Sequence, residues 1–425
     1  MKSINRLLRR SCLHQLAQLQ HGGLTLVEGQ FHQHFGDATS PLQAKVEIHE
    51  PAFWQALALE GSIGAADAWI HGHWDSPDLT AVIRVLVANM EILDAMEGGL
   101  AVLKRATLRI TSRLQHNSRR AAKRNIAAHY DLGNDLFEAF LDPSMMYSAA
   151  MFQHPGDSLA TAQHNKLERI CQKLQLQPGE HLLEIGTGWG SLAIHAAQHY
   201  GCHVTTTTLS QAQYAHTKAR IQELGLEDRI TLLLEDYRDL SGQYDKLVSV
   251  EMIEAVGHEF LPLYFQHCNN LLKTDGLMLL QSITIRDQRE QQARNNVDFI
   301  QRYIFPGGAL PSVTSMMTTI SGHSDMNLIH LEDFGADYAN TLKCWHDNFN
   351  HASAKLAEAG YDATFQRLWR YYFCYCEGAF LERAIGVVQM LLAKPQARPN
   401  IWATTANGLV QGAWSVEKKL SVAGD

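Results

Sequence analysis

The chain has 425 residues, of which 46% are hydrophobic and 19% are charged, a composition that excludes a peptide, a disordered chain and a collagen-like repeat. Its length corresponds to two or three folded domains. Lys and Arg total 36 against 44 Asp and Glu, so the net charge of −8 argues against electrostatic nucleic-acid binding by the whole molecule, and we expect no nucleic-acid partner. Seven scattered cysteines without paired CxxC spacing indicate reduced thiols in a cytosolic compartment.

Residues 1–103 mix short apolar stretches with glycine and turn residues, which predicts a small mixed α+β domain. Within it His71 and His73 flank Gly72, but two histidines without further ligands at suitable spacing do not make a metal site, and we expect no metal. The N-terminus carries charge without an apolar segment, and no apolar run approaches the roughly 20 residues that span a bilayer. We therefore expect neither a signal peptide nor a membrane anchor.

Residues 104–124 form a basic linker that contains no acidic residue. Its basic residues are Lys104, Arg105, Arg109, Arg113, Arg119, Arg120, Lys123 and Arg124. One interpretation is a solvated helix face or linker. The other is electrostatic docking on anionic phospholipid headgroups, to which each basic residue near the surface contributes about 1 kcal/mol. The sequence leaves both open.

Residues 125–395 are predicted to form a Rossmann-like α/β domain, because short apolar runs typical of buried strands alternate with helix-length segments. The predicted strands are 181–186, 203–208, 231–236, 246–252, 277–283 and 387–392, and an amphipathic helix is predicted at 365–384. The alternation breaks at about 284–330 into a polar and then an apolar stretch, which predicts a helical lid over the carboxyl edge of the sheet. Residues 396–425 are a tail without a clear pattern.

The glycine-rich segment EIGTGWG (184–190) lies between the first predicted strand and a helix. Its three glycines allow the backbone to turn sharply and to approach a ligand closely. Position 191 is serine, so the spacing differs from the dinucleotide pattern GxGxxG and favours an adenosyl ligand such as S-adenosylmethionine over a dinucleotide. Asp236 and Tyr237 follow the third strand at the same edge, where an acid and an aromatic ring would bracket an adenine.

Seven segments resemble, in order and spacing, the motifs of the cyclopropane-fatty-acyl-phospholipid synthase family. They are HYDLGNDLFEAFLDPSMMYSAAMF (129–152), EIGTGWG (184–190), TLSQAQ (208–213), EDYRDL (235–240), EMIEAVG (251–257), YIFPGG (303–308) and FGADY (334–338). The resemblance implies a class I methyltransferase that uses S-adenosylmethionine to methylate the cis double bond of acyl chains in membrane phospholipids, forming a cyclopropane ring. It implies a cytoplasmic enzyme associated peripherally with the membrane, and it leaves a homodimer open.

The resemblance also assigns ten residues to the cofactor. They are Tyr147, Ser148, Glu184, Gly186, Gly188, Gly190, Thr208, Gln213, Tyr237 and Arg238. Many methyltransferases end the second strand in a carboxylate that holds the ribose, but this strand ends in four threonines. Thr208 and Gln213 would supply neutral partners instead. The alternative for Gln213 is an exposed helix residue.

The resemblance further implies that the alkene attacks the sulfonium methyl group, and that a bound bicarbonate removes a proton so that the ring closes. A dry apolar pocket would protect the intermediate cation from water. The positions that would hold bicarbonate are Ala149, Glu254, Gln281, Ile283 and Tyr338. Glu254 would accept the bicarbonate hydroxyl, and Tyr338 would donate to an oxygen.

Two of these positions depart from the family pattern, since Ala149 stands where the family has cysteine and Gln281 where it has histidine. Bicarbonate is therefore in doubt as a cofactor. If the Ala149 N–H and the Gln281 amide still hold it, the product is a ring. If it is lost, the cation sheds a proton from a neighbouring carbon, to Glu254, and gives a branched olefin (methyl or methylene).

Two further alternatives remain open, a non-catalytic relative that binds lipid or cofactor, and methylation of a small soluble acceptor. The second would require an open site without an apolar lid. The residues predicted to form that lid, or else ordinary core, are Phe299, Ile300, Tyr303, Ile304 and Phe305. Cys376 lies near the substrate by resemblance, and we expect it to pack without reacting because the chemistry needs no nucleophile.

Overall fold

The computed structural model describes residues 2–92, 94 and 132–400. The predicted basic linker, 104–124, and the tail beyond residue 400 lie outside the described residues. Two sheets organise the described chain, one of four strands near the N-terminus and one of seven strands after it.

The N-terminal part is a mixed α+β unit, as predicted. Its elements are α1 (Lys2–Leu16), β1 (Gly23–Glu28), β2 (Phe31–Gly36), β3 (Gln43–Ile48), α2 (Ala52–Ile70), β4 (Trp74–Asp75) and α3 (Leu79–Ala88). The strand order is β2-β1-β3-β4, with β1 and β3 parallel. Helix α3 begins where Asp78 accepts a hydrogen bond from the Ala81 N–H at 2.9 Å.

The larger sheet has the order β10-β11-β9-β8-β5-β6-β7. Its strands are β5 (His181–Ile185), β6 (His203–Thr207), β7 (Ile230–Leu233), β8 (Tyr244–Val250), β9 (Leu272–Ile285), β10 (Asn327–Asp333) and β11 (Ile385–Ala393). The five strands β5 to β9 run parallel, whereas β11 is antiparallel to both of its neighbours. The six predicted strands are confirmed, and β10 was not predicted.

The helices cover both faces of this sheet and bury one apolar cluster on each face. They are α4 (Asn134–Glu138), α5 (Leu159–Leu174), α6 (Ser191–His199), α7 (Gln211–Glu223), α8 (Leu261–Leu271), α9 (Asp287–Arg294), α10 (Val313–His323), α11 (Gly335–His351), α12 (Ser353–Glu358) and α13 (Ala363–Leu381). The helix predicted at 365–384 is α13, which begins two residues earlier because Asp362 caps it.

The segment between β9 and β10 contains α9, a short π-helical turn (Ile300–Ile304) and α10. It ends at β10 rather than at residue 330, because residues 327–333 pair with β11. Polar contacts join it to the N-terminal unit. Tyr303 Oη donates to Asp67 Oδ1 at 2.9 Å, and Arg289 forms two hydrogen bonds with Asp94 at 2.6 and 2.9 Å.

Candidate active site

A cavity of about 140 Å³ opens at the carboxyl ends of β5, β6 and β8. Eight of the ten predicted cofactor residues line it, namely Tyr147, Ser148, Glu184, Gly186, Gly188, Thr208, Gln213 and Tyr237. The other two lie beside the cavity. Gly190 precedes the first residue of α6, and Arg238 pairs with Asp236 through bonds of 2.8 and 2.7 Å. The predicted adenine-binding acid, Asp236, is therefore engaged by Arg238.

The glycine-rich loop needs glycine at all three positions. Gly186, Gly188 and Gly190 have φ of 97°, 54° and 90°, in the left-handed region that other residues rarely adopt. A Cβ at Gly190 would lie 2.7 Å from Thr217 Cγ2, whereas a Cβ at Gly188 would meet no atom within 4 Å. Gly188 thus presents bare backbone to the cavity, as the close approach of an adenosyl ligand requires.

Thr208 and Gln213 meet at the end of β6. Thr208 Oγ1 donates to Gln213 Oε1 at 2.8 Å, and both side chains are buried. Ser210 caps α7 by accepting from the Gln213 N–H at 3.2 Å, which fixes the first turn of the helix. The interpretation of Gln213 as an exposed helix residue is therefore wrong, and two neutral side chains line the cavity at the place predicted for them.

Glu184, the first residue of the glycine-rich segment, is fully buried at the cavity wall. Thr206 Oγ1 donates to its carboxylate at 2.5 Å. Burial raises the pKa of Glu184 to about 7, and the Thr206 hydrogen bond opposes this rise.

Glu251 is the residue that sequence reasoning missed. Its Oε1 accepts from the Ala149 N–H at 2.9 Å and from Gln281 Nε2 at 2.7 Å, and its Oε2 accepts from Tyr338 Oη at 2.7 Å. The backbone of Glu251 is left-handed, with φ of 49°, and it follows β8 directly. Three groups predicted to hold bicarbonate therefore hold the carboxylate of Glu251.

The remaining two predicted positions, Glu254 and Ile283, bind each other. Glu254 Oε1 accepts from the Ile283 N–H at 2.6 Å and from Ser282 Oγ at 3.2 Å. Its Oε2 is buried and has no hydrogen-bond partner among the described residues. Burial, together with the nearby charge of Glu251, raises the pKa of Glu254 to about 8, so that this carboxyl group is mainly protonated at pH 7.

The two carboxyl groups therefore differ in surroundings. Burial raises the pKa of Glu251 too, but the Ala149 N–H, the charge of Lys166 and the donors Tyr338 and Gln281 oppose the rise. Glu251 is the better stabilised anion, and Glu254 the better neutral acid. Paired carboxyl groups whose surroundings separate their pKa values are typical of acid–base sites.

Lys166 places a buried positive charge behind the cavity wall. Its Nζ donates to Ser148 Oγ at 2.5 Å, and its side chain is fully buried on α5. Burial lowers the pKa of Lys166 to about 7, while the carboxylates of Glu251 and Asp142 oppose this fall. Lys166 and Glu251 thus each favour the charged form of the other.

Aromatic rings close the site around Tyr147 and Tyr338. The ring of Tyr147 lies 5.2 Å from that of Trp345, and its hydroxyl is 2.9 Å from the hydroxyl of Tyr372. The ring of Tyr338 lies 4.5 Å from that of Phe380. These rings give the site aromatic walls, and their π faces would attract a developing positive charge.

The apolar stretch 299–305 contributes both to the core and to this wall. Phe299 is buried, with its ring 4.7 Å from that of Tyr371, whereas the ring of Phe305 lies 6.4 Å from that of Tyr147. Phe299 therefore belongs to the core and Phe305 to the wall of the site, so each of the two predicted roles, core and lid, applies to part of the stretch.

Cys376 packs against the apolar cluster of α13, and all seven cysteines are free thiols. Burial raises the pKa of the Cys376 thiol far above its ordinary value, so a thiolate is disfavoured there.

The sequence model of the mycolic acid cyclopropane synthetase family matches residues 117–390. The chain belongs to this family. The chain is 37% identical to the tuberculostearic acid methyltransferase UfaA1 of Mycobacterium tuberculosis, over 92% of this chain and 90% of the relative. It is also 37% identical to the cyclopropane-fatty-acyl-phospholipid synthase of Escherichia coli, over 83% of this chain and 88% of the relative.

The family's solved structures share the fold. A structure of mycolic acid cyclopropane synthase CmaA1 complexed with SAH and CTAB superimposes with a TM-score of 0.60 at 30% identity, covering 64% of this chain and 98% of that one. The chain is thus a class I methyltransferase and an enzyme of the cyclopropane-fatty-acyl-phospholipid synthase type, with S-adenosylmethionine as co-substrate and acyl chains as the groups it modifies. Among the helices described above, none combines the length and the apolarity that crossing a bilayer requires.

One sequence signal could have pointed to Glu251. In this family member the segment EMIEAVG carries two carboxylates three residues apart, directly after a central strand of the sheet. Both Glu251 and Glu254 therefore lie at the carboxyl edge, where α/β enzymes place their sites.

Proposed function

We propose that this enzyme transfers the methyl group of S-adenosylmethionine to the cis double bond of an unsaturated acyl chain in a membrane phospholipid, and that it releases a branched olefin. The observation that carries this proposal is the carboxylate of Glu251 in the bicarbonate cradle. A resident carboxylate there makes the proton acceptor part of the chain.

Bicarbonate fits this cradle poorly. Its oxygens would need the Ala149 N–H, the Gln281 amide and the Tyr338 hydroxyl, and each of these donates to Glu251. The Ile283 N–H donates to Glu254. A second anion beside Glu251 would also meet like-charge repulsion in a buried site, which is costly. We therefore assign no step to bicarbonate.

The protein's own residues can perform the chemistry. S-adenosylmethionine supplies an electrophilic methyl group on a sulfonium. The double bond's electron pair forms the new C–C bond as the S–C bond breaks, which leaves a cation on the adjacent carbon. Glu251 removes a proton from a carbon next to the cation, and the C–H electron pair becomes the new double bond. The rings of Tyr147 and Tyr338 shelter the cation from water.

Similarity alone does not choose the product, because a relative named as a methyltransferase and one named as a cyclopropane synthase are equally identical to this chain. A ring remains the second candidate, because Glu251 occupies the place predicted for bicarbonate. A carboxylate in the bicarbonate cradle could also take its proton from the transferred methyl group, and ring closure would follow.

Product analysis with a labelled methyl group tests the proposal. The enzyme is expressed in a host without its own cyclopropane synthase, fed methionine with a CD₃ group, and the fatty acid methyl esters are separated by gas chromatography with mass spectrometry. A methyl-branched olefin that retains three deuterium atoms indicates loss of a chain proton. A methylene olefin retains two and still adds hydrogen on catalytic reduction. A saturated product with two deuterium atoms, inert to mild hydrogenation, is a ring and would refute the proposed product.

A further inference from the structure

A row of buried polar side chains runs from α5, over strands β11 and β9 of the seven-stranded sheet, to Glu251. Lys173 Nζ on α5 donates to Gln389 Oε1 at 2.7 Å. Gln389 Nε2 donates to Gln281 Oε1 at 3.0 Å, and Gln281 Nε2 donates to Glu251 Oε1 at 2.7 Å. All three hydrogen bonds run in the same direction, with the donor on the side away from Glu251.

The register of the strands builds this row. Gln389 on β11 is the direct cross-strand partner of Gln281 on β9 and of Glu332 on β10. Gln281 and Gln389 are fully buried, and Leu279 and Leu391, two residues along on the same face, belong to the apolar cluster. Polar side chains in such a layer are costly unless each is hydrogen-bonded, and here each one is.

Lys173 fixes the direction of the row. An ammonium group can only donate, so Gln389 must present its amide oxygen to Lys173 and its amide nitrogen to Gln281. Gln281 must then present its oxygen to Gln389 and its nitrogen to Glu251. A glutamine amide could otherwise turn over and direct its oxygen at the carboxylate, and the row prevents this.

We propose that Lys173 and Gln389 are positioning residues that hold Gln281 as a hydrogen-bond donor to Glu251 and so keep Glu251 ionised as the proton acceptor. This inference rests on the proposed function, in which Glu251 takes the proton. It adds two residues on α5 and β11, neither of which lines the cofactor cavity.

At the outer end of the row, the contacts of Lys173 stabilise its charged form. Lys173 also donates to Glu332, and Arg169 pairs with the same carboxylate at 3.1 Å. Burial lowers the pKa of Lys173 to about 8, and the charge of Glu332 opposes the fall. The ammonium form therefore predominates at pH 7.

The row also decides which oxygen of Glu251 is basic. Oε1 accepts from the backbone N–H of Ala149 and from the fixed amide of Gln281, and neither of these can become an acceptor. Oε2 accepts only from the Tyr338 hydroxyl among the described residues, and a hydroxyl can rotate to accept instead. The proton is therefore taken up on Oε2.

Four titratable groups face Glu251 and must be considered in any pH dependence. They are Lys166, Glu254, Tyr338 and Tyr372. None of them contacts Lys173 or Gln389 through the hydrogen bonds described above. A change in the pH profile on an uncharged substitution of Gln389, which alters no charge, would therefore reach Glu251 through Gln281.

The test compares Lys173→Met, Gln389→Leu and Gln389→Glu with the wild type. Gln389→Glu is almost isosteric and still accepts from Lys173, but it cannot donate to Gln281. Lys394→Met is the matched control, because Lys394 is also a buried lysine paired with a carboxylate, Asp325, and it follows the last residue of β11, five positions beyond Gln389. The full-length proteins are assayed with S-adenosylmethionine and vesicles of unsaturated phospholipid between pH 5.5 and 9.

We expect turnover at pH 7 to fall about tenfold or more in the three test variants, as for other supporting hydrogen bonds of a site. The acidic limb of the kcat profile should move to higher pH by about one unit, because a carboxylate that loses a fixed donor is protonated more readily. Affinity for S-adenosylmethionine, measured by calorimetry, should stay within about twofold. Lys394→Met should keep the acidic limb of the wild-type kcat profile.

A Gln389→Glu variant that folds and keeps both the acidic limb of the wild-type kcat profile and the wild-type turnover would overturn this inference. An equal shift of the acidic limb in Lys394→Met would overturn it too. Thermal melts identify a variant that does not fold, and Gln389→Glu keeps the test open if Gln389→Leu is lost. A Glu251→Gln variant with wild-type turnover would instead refute the proposed function itself. Loss of activity in Glu251→Gln with unchanged profiles in the test variants would refute only the positioning role.

Discussion

The backbone N–H of Ala149 donates to Glu251 Oε1 at 2.9 Å, so the buried carboxylate is tied to the segment that lines the cofactor cavity through Tyr147 and Ser148. A backbone donor cannot rotate away as a side chain can. One short stretch of chain therefore both lines the cavity and holds the group that we propose accepts the proton. Four predictions follow from this and from the neighbouring geometry.

Glu251→Gln should lower turnover by about 10²- to 10⁴-fold, the usual loss when a general base is removed. The amide keeps the volume of the side chain and can still accept from Ala149 and Gln281. Binding of S-adenosylmethionine, followed by isothermal titration, should therefore change little. A loss of affinity as large as the loss of turnover would mean that Glu251 shapes the pocket and does not act as the base.

Glu251→Gly should create an enzyme that depends on bicarbonate. The left-handed backbone at this position, with φ of 49°, suits glycine, and removing the carboxylate frees Ala149, Gln281 and Tyr338 as donors for an anion. Methyl transfer is measured in buffer depleted of carbon dioxide and then with added bicarbonate. Rescue of the variant, with no effect on the wild type, is expected. An equal response of both proteins would contradict the assignment of Glu251.

Glu254→Gln should change how stability depends on pH. The pKa of Glu254 is raised to about 8 in the folded protein from an ordinary value of 4.5, so the folded state holds a proton that the unfolded state releases between these values. Its contribution to stability is complete below the lower value and is lost as the pH rises toward 8.

The melting temperature of the variant, relative to that of the wild type, should therefore increase between pH 5 and pH 8. Differential scanning fluorimetry across this range provides the measurement. Ser282→Ala is the comparison, because it removes a hydroxyl that donates to Glu254 and to the Ile283 carbonyl but leaves the Glu254 carboxyl group in place. A constant difference between Glu254→Gln and the wild type would show that Glu254 is ionised throughout.

Gly188→Ala and Gly190→Ala should have different main effects, the first on cofactor affinity and the second on stability. At Gly190 the new Cβ would lie 2.7 Å from Thr217 Cγ2, so we expect a loss of stability of about 1–3 kcal/mol. At Gly188 the left-handed backbone also disfavours alanine, but the Cβ meets no protein atom within 4 Å and borders the cavity, so we expect a smaller loss of stability and weaker binding of S-adenosylmethionine. Melting temperatures and calorimetric affinities of the two variants separate the effects. Similar affinities for both would argue against the cofactor assignment of the loop.

The fold was predictable where buried strands carry continuous apolar residues. The central strands β5 and β8 contain such apolar stretches, and their predicted bounds differ from the observed ones by no more than two residues at either end. Strand β10, NLIHLED, could not be recognised in the same way. It lies at the edge of the sheet with mostly half-buried or exposed residues, so neither an apolar run nor a regular alternation marks it.

The residues that line the cavity could be predicted by resemblance, but the role of Glu251 could not. Sequence motifs give the order of Glu251 and Glu254, and they do not say which carboxylate turns toward Ala149. The left-handed backbone at Glu251 decides that, and it depends on the tertiary structure around β8. The row through Gln389 was equally hidden, because Gln281 and Gln389 are 108 positions apart and only strand pairing brings them together.

The carboxylate of Glu251 is covalently part of the chain, unlike an anion recruited from solution. Such a base is present at every turnover and cannot exchange with the medium. On the proposed mechanism, the rate would be insensitive to the supply of inorganic carbon, and anions that compete for a carbonate site would not inhibit it. The membrane lipids of a cell with this enzyme could then be modified at the same rate in carbon-dioxide-poor surroundings as in rich ones.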